Sequence, residues 1–362
     1  MISPRQLFFT LALARIGALL VLLPVVHAGE AMQDAWISVI VATGVAILIA
    51  WLGAYLAMKH PGKSLGRFAN DLLGRLGGTI ATGILALSFY VLCLIRVRLV
   101  SLVIISHFMP RTPGWALAIP ILLTACYGAM MGPDTIGRAS EFFFTVMAVI
   151  IVASLAVFYA WSPERVAGLK PVLSRGLGPV FAASVPATFL GLVSGLKVLA
   201  LGRFTTEKGK IPKATATALL ISGLALLVFA INAVTALGPA QAQRSVTPLL
   251  ALASSVSIEG VLERLDLVLV AAWVMGVTFD VTALLMSSSI LIGDSVGADH
   301  RKVTAVLFLL GLVPVSHRIT DIFTMRRLHS TPVTGIWAIV IAVGTLAPVF
   351  VAYLIKKRKG GS

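Results

Sequence analysis

Charge is scarce in this chain. Of 362 residues only 12% are Asp, Glu, Lys or Arg, against about 25% in a soluble domain. So few charges cannot cover the surface of a water-soluble protein of this length, and a 58% hydrophobic content would require nearly every segment to be buried. A soluble enzyme and a disordered chain are both excluded. Cysteine is almost missing. Cys93 and Cys126 both lie inside apolar runs, so neither a disulfide framework nor a metal site follows from them. The six histidines fall near run ends or in loops and show no ligand spacing. There is no Walker loop: Pro61-Gly62-Lys63-Ser64 lacks the earlier glycine and the preceding strand. No Gly-x-Ser-x-Gly elbow occurs either. The chain is therefore expected to be no enzyme, with no catalytic residue, metal or cofactor, and ATP-driven pumping has no support.

What the sequence has in abundance is apolar length. Mean hydropathy is +1.00, and runs of about 20 apolar residues each suffice to cross a bilayer as a helix. Ten such spans are expected, at about 6–27, 35–58, 76–108, 113–132, 141–161, 179–201, 213–237, 265–292, 302–320 and 332–355. The runs are continuous in Leu, Val, Ala and Ile, without the strict alternation of a β-barrel. The reading is an all-α polytopic membrane protein with a single permease-like domain over 1–362. Between Pro239 and Asp266 a short interfacial helix and an extended loop are equally open.

The net charge is +15, from 29 bases against 14 acids. The bases sit in short clusters between apolar runs, which fits loops held on the cytoplasmic side and not a nucleic-acid surface. With both ends inside, sixteen bases fall on inner segments and nine on outer ones, so both termini are expected in the cytoplasm. The first helix reads as retained, since only Arg5 precedes it and no small-residue cleavage pattern follows. The tail Lys356-Lys357-Arg358-Lys359 reads as an anchor meeting anionic lipid.

Charges within spans are functional candidates. Arg15 lies in span one, Lys197 toward the end of span six and Asp280 near the middle of span eight. Arg15 needs an acceptor, so an Arg15–Asp280 pair is expected, with Lys197 as the competing partner. Snorkelling accounts for Arg96 and Arg98. Irregular backbone is tolerated in lipid only where protein covers it, and paired broken helices mark solute sites in transporters. Two spans fit that description. Span one carries Arg15-Ile16-Gly17-Ala18, and span six carries Pro186, Thr188, Gly191, Ser194 and Gly195 within a short stretch. Spans one and six correspond in a five-plus-five inverted repeat.

A set of collinear matches carries a resemblance. They are Ile2-Ser3-Pro4-Arg5-Gln6-Leu7, Ala14-Arg15-Ile16-Gly17, Gln33-Asp34-Ala35-Trp36, Pro61-Gly62-Lys63-Ser64-Leu65, Pro110-Arg111-Thr112-Pro113-Gly114-Trp115, Arg138-Ala139-Ser140-Glu141-Phe142 and Leu262-Glu263-Arg264-Leu265-Asp266. Over roughly 2–290 the chain resembles the spore germination permeases, the B subunits of Ger-type germinant receptors, of the amino acid–polyamine–organocation superfamily. The resemblance implies a LeuT-like core with helices 1 and 6 broken, and Ile16, Gly17, Ala18, Leu19 and Leu20 as the unwound segment. Family members often carry a Lys where Asp280 stands, so Lys197 with Asp280 reverses the usual signs. Backbone N–H groups at Ala18–Leu20 would hold the carboxylate of an amino acid, with Phe189, Gly191 and Ser194 opposite and Trp273 and Phe279 closing the pocket. The implied partners are the lipid bilayer, a small nutrient and A- and C-type receptor subunits in the spore inner membrane. A secondary amino acid transporter, coupled to H⁺ or a cation, and a structural or channel-like subunit remain alternatives.

Overall fold

A computed structural model describes residues 1–19, 30–59, 65–161, 169–240, 265–316 and 327–359. Among them the chain is helical throughout, with one isolated bridge between Ile2 and Thr205. The helices are α1 (Pro4–Leu19), α2 (Ala35–Lys59), α3 (Leu65–His107), α4 (Gly114–Met131), α5 (Pro133–Trp161) and α6 (Gly178–Leu196). They continue with α7 (Ile211–Leu237), α8 (Leu265–Val296), α9 (His300–Ser316), α10 (Thr331–Ile341) and α11 (Ala347–Lys359). Among the described residues, eight helical stretches are long and apolar enough to cross a membrane. The described parts of α1 and α9, at 16 and 17 residues, are shorter.

Breaks in the helices follow local chemistry. Gly132 takes a φ of 90° between α4 and α5, a conformation that side chains resist, and so allows two helices to meet with almost no linker. Gly74, at φ 76°, kinks α3, which begins at Leu65 and not near 76. The extra segment carries Arg67, Asn70, Asp71 and Arg75, polar residues that masked it as a loop in the sequence. Proline stands in the first turn of α5, α6, α7 and α10, where its missing N–H has no partner to lose. A five-residue π-helical stretch, Ala342–Leu346, joins α10 to α11, and Thr345 within it donates to the Ala81 carbonyl of α3 at 2.8 Å.

Packing places α1 and α6 inside. α1 touches α5, α6, α7 and α8, while α2 lies along α6 and α7, and α8 along α3 and α4. In the stretch containing α6, 89% of the most apolar window is buried, against 17% in the stretch of α10 and α11, which therefore lies at the rim. One end of the bundle is tied together by the N-terminus. Ile2 exchanges backbone bonds with Phe204 and Thr206 at 2.8 and 2.9 Å. The Met1 amine meets Asp134 at the start of α5. Beside them Arg203 pairs with Asp294 of α8 at 2.6 Å.

Candidate functional site

α8 is apolar over most of its length, yet Asp280 sits in it, 2% exposed. Burying a carboxylate without a partner is prohibitive, and two cations answer it. Lys197 Nζ donates to Asp280 Oδ1. Arg96 of α3 places Nε 3.7 Å from Oδ2. The guanidinium of Arg96 also donates through Nη1 to the Ala18 carbonyl of α1 at 3.0 Å. Ala18 lies in the last described turn of α1. One small polar cluster thus joins α1, α3, α6 and α8.

Lys197 follows Leu196, the last residue of α6, and a four-residue helix, Val198–Leu201, continues directly from it. Its backbone stays helical, at φ −54° and ψ −24°, and its carbonyl accepts from both Ala200 and Leu201 N–H, at 3.0 Å each. The sequence expects an unwound stretch over Pro186–Lys197, and the chain is helical there. α6 is helical through Pro186, and its glycines serve packing. A Cβ at Gly191 would stand 2.9 Å from the Ala46 Cβ of α2, and one at Gly195 only 2.4 Å from the Ala50 Cβ. These are small residues four apart on facing helices, the usual means of close approach in lipid.

Arg15 takes the other direction. It is 1% exposed and donates to the Leu219 carbonyl and, at 3.4 Å, to Ser222 Oγ of α7. Its Nη2 donates to Thr43 Oγ1 of α2 at 3.0 Å. The guanidinium fits because Gly191 has no side chain: a Cβ there would lie 3.4 Å from Nη2. Nε has no acceptor, and among the described residues no carboxylate stands beside Arg15. The expected Arg15–Asp280 pair is therefore corrected to Lys197–Asp280. Helix geometry gives the reason. Gly17 faces α8, where a Cβ would be 2.2 Å from the Gly276 carbonyl carbon. Two residues at about 100° each put Arg15 on the opposite side of α1.

The spore germination protein family model matches residues 1–323. This chain belongs to that family. It is 25% identical over 314 residues to spore germination protein KB of Bacillus subtilis (strain 168), covering 86% of this chain and 82% of that one. It is 22% identical to spore germination protein GerLB of Bacillus cereus, with 100% and 96% of the two chains covered. Among solved structures it resembles Mhp1, a nucleobase-cation-symport-1 family transporter, in a closed conformation with bromovinylhydantoin bound. The TM-score is 0.69 at 14% identity, over 93% of this chain and 77% of Mhp1. The likeness shows a shared transporter fold in a multi-pass membrane protein of the spore germination family.

Against that fold the residues singled out from sequence divide into three groups. Lys197 and Asp280 meet, with the Ala18 carbonyl one residue of Arg96 away from them. Arg15 and Gly191 meet at a second point. Ile16, Gly17, Ala18 and Leu19 are all helical, so the N–H groups of Ala18 and Leu19 lie within α1. Leu20 lies outside the described residues. Ser194 Oγ donates to the Leu190 carbonyl at 3.0 Å, and Phe189 and Trp273 are buried packing residues. Phe279 lines a separate cavity between α4, α5 and α8.

Arg96 and Arg98 are the members sequence reading missed. Neither snorkels: they are 3% and 5% exposed. Arg98 donates to the Val315 carbonyl, in the last described turn of α9, at 2.7 Å, as Arg96 does to α1. A signal was present for Arg96. Leu85, Phe89, Leu92, Arg96, Val100 and Val103 recur at three- and four-residue steps and are all buried, so Arg96 sits on the inward stripe of α3.

Proposed function

We propose that this member of the spore germination family is a B-type subunit of a germinant receptor in the spore inner membrane. It binds a small nutrient, an amino acid, between α1 and α6, and passes that event to A- and C-type partner subunits. The observation that carries the reading is the convergence of charge on these two helices. Arg15, Arg96, Lys197 and Asp280 are all buried, three positive charges against one negative, inside helices apolar enough for a bilayer. An excess of buried positive charge is stabilised by an incoming anion. Arg15, answered only by neutral acceptors, offers that charge to the nutrient's carboxylate. The burial of α1 and α6 inside the bundle supports these two helices as the solute-holding pair of a five-plus-five repeat. In this reading α1 and α9 complete ten spans, with both termini cytoplasmic.

Thermal unfolding of the purified protein, screened against amino acids, sugars and nucleosides, tests the proposal. At least one amino acid is expected to raise the midpoint, and the same compound to do nothing for Arg15→Gln. A folded wild-type protein that no amino acid stabilises overturns it. The shared fold with Mhp1 favours a second reading, a secondary amino acid transporter. Saturable uptake into proteoliposomes that contain this chain alone would establish that reading in place of the first.

A further inference from the structure

Phe279 leads to a feature that the nutrient site does not use. A cavity of about 420 Å³ lies between α4, α5 and α8. Its inner wall is Met275, Thr278, Phe279 and Thr282 of α8, and its outer wall includes Thr124 and Tyr127 of α4. Phe279 and Thr282 are each 7% exposed, whereas Tyr127 is 65% exposed. The cavity therefore runs from the outer surface of the bundle to the buried face of α8.

The lining offers almost nothing to a polar guest. Thr124, Thr278 and Thr282 donate to carbonyls four residues back in their own helices, at 2.8, 2.7 and 2.8 Å. Thr135 of α5 donates to the Met131 carbonyl at the end of α4 at 3.5 Å. With these donors taken up, the remaining lining hydroxyl is that of Tyr127 at the exposed rim, and an apolar interior of this kind stays dry or fills with hydrocarbon. The helices α4 and α5 that wall it also carry exposed Leu123, Met131 and Phe142, the kind of surface that meets acyl chains. The lining itself holds no charged residue, and a base stands beside it in the α5 sequence. Arg138 is exposed on α5, three residues after Thr135 and four before Phe142, next to the lining residue Ala139.

We propose that the cavity holds one acyl chain of an anionic membrane phospholipid, with Arg138 meeting its phosphate. The chain reaches the stretch of α8 that carries both Asp280 and Gly276, the residue that Gly17 of α1 packs against. The lipid is therefore a structural wedge behind the polar cluster, and its loss lets the α8 segment move away from α1 and Lys197.

Photo-crosslinking decides the matter. The full chain is reconstituted in phosphatidylcholine vesicles doped with phosphatidylglycerol bearing a diazirine near one acyl terminus, then irradiated and mapped by mass spectrometry. Adducts are expected on Met275, Phe279 or Thr282, which lipid at the bundle surface does not reach. Thr124→Trp, a change at an exposed rim position, is expected to remove those adducts while leaving adducts on the lipid-facing Leu309 and Leu310 of α9. Arg138→Gln is expected to lower the preference for the phosphatidylglycerol probe over a phosphatidylcholine probe by about fivefold, the worth of one base at an anionic surface. An excess of unlabelled phosphatidylglycerol, which needs no substitution, is expected to suppress the α8 adducts. The proposal fails if α8 stays unlabelled in the wild-type protein. It fails equally if the two headgroups label alike, or if only a free diazirine fatty acid reaches α8.

Discussion

Replacing Asp280 with Asn leaves Lys197 and Arg96 facing each other in the core with no acid between them. Lys197 is 0% and Arg96 3% exposed, so water cannot take over. Removing one partner of a buried ion pair typically costs about 3–5 kcal/mol. Here two cations lose the same carboxylate, which puts the loss at the upper part of that range. Arg96 moderates it, since its guanidinium keeps the Ala18 carbonyl at 3.0 Å. A loss of about 3–5 kcal/mol changes the folded-to-unfolded ratio by about 10²–10⁴. Equilibrium unfolding in mixed micelles of mild detergent and dodecyl sulfate reads such a change. An ordinary hydrogen bond between membrane helices is worth about 0.6 kcal/mol, so the two cases separate. Lys197→Met, Arg96→Met and Asp280→Leu together are expected to recover much of the loss, because apolar residues of similar volume replace a buried ionic cluster with little penalty. Arg15→Asp with Asp280→Arg is expected to recover nothing, since Arg15 faces α2 and α7. An Asp280→Asn variant within about 1 kcal/mol of wild type would refute the reasoning, because the cluster would then be no more than a common polar contact.

Gly17→Ala is expected to prevent α1 from seating, as its Cβ would stand 2.2 Å from backbone of Gly276; proteolytic sensitivity of α1 measures this, and an Ala variant as resistant as wild type contradicts the close crossing. Arg203→Ala is expected to release Ile2 from Phe204 and Thr206, seen as faster amide exchange at Ile2 and Thr206, because the Asp294 anchor beside that bridge is gone. Asp299 caps α9, accepting the Arg301 N–H at 2.9 Å, and this bond holds its carboxyl below the ordinary value of 3.8. Its folded-state pKa is depressed, so the contribution is present at neutral pH and lost as pH falls through the carboxylate range. The stability difference between wild type and Asp299→Asn is accordingly expected to shrink on acidification, and a difference that grew would reverse the sign.

The helical, membrane-spanning character of the chain was legible because lipid demands it. Runs of about 20 apolar residues have no other stable form there, and caps or amphipathic stripes need not be read. What those runs hide is azimuth. A soluble helix shows which side faces in by where its polar residues lie; a helix apolar all round does not. Depth along the bilayer made Arg15 and Asp280 look like partners, and depth was all that the sequence offered for that pair. The missing angle was available only through Gly17. As a site of unwinding, it says nothing about where Arg15 points. As a contact with Gly276, it turns Arg15 away from α8.

The same blindness explains Arg96 and the glycines of α6. An arginine at a run's end and one on an inward stripe have identical hydropathy, and only the three- and four-residue recurrence through Leu85, Phe89 and Leu92 separates them. Pro186, Gly191 and Gly195 look alike whether a helix unwinds or packs closely. The facing Ala46 and Ala50 decide for packing, and they lie more than a hundred residues away in a helix that sequence alone does not place beside α6. Lys197, by contrast, keeps helical dihedrals, φ −54° and ψ −24°, and its carbonyl accepts from the Leu201 N–H four residues on. Its side chain is fixed by Asp280 of α8. A buried charge in a membrane helix of this kind therefore marks where that helix meets its neighbour, which hydropathy alone does not reveal.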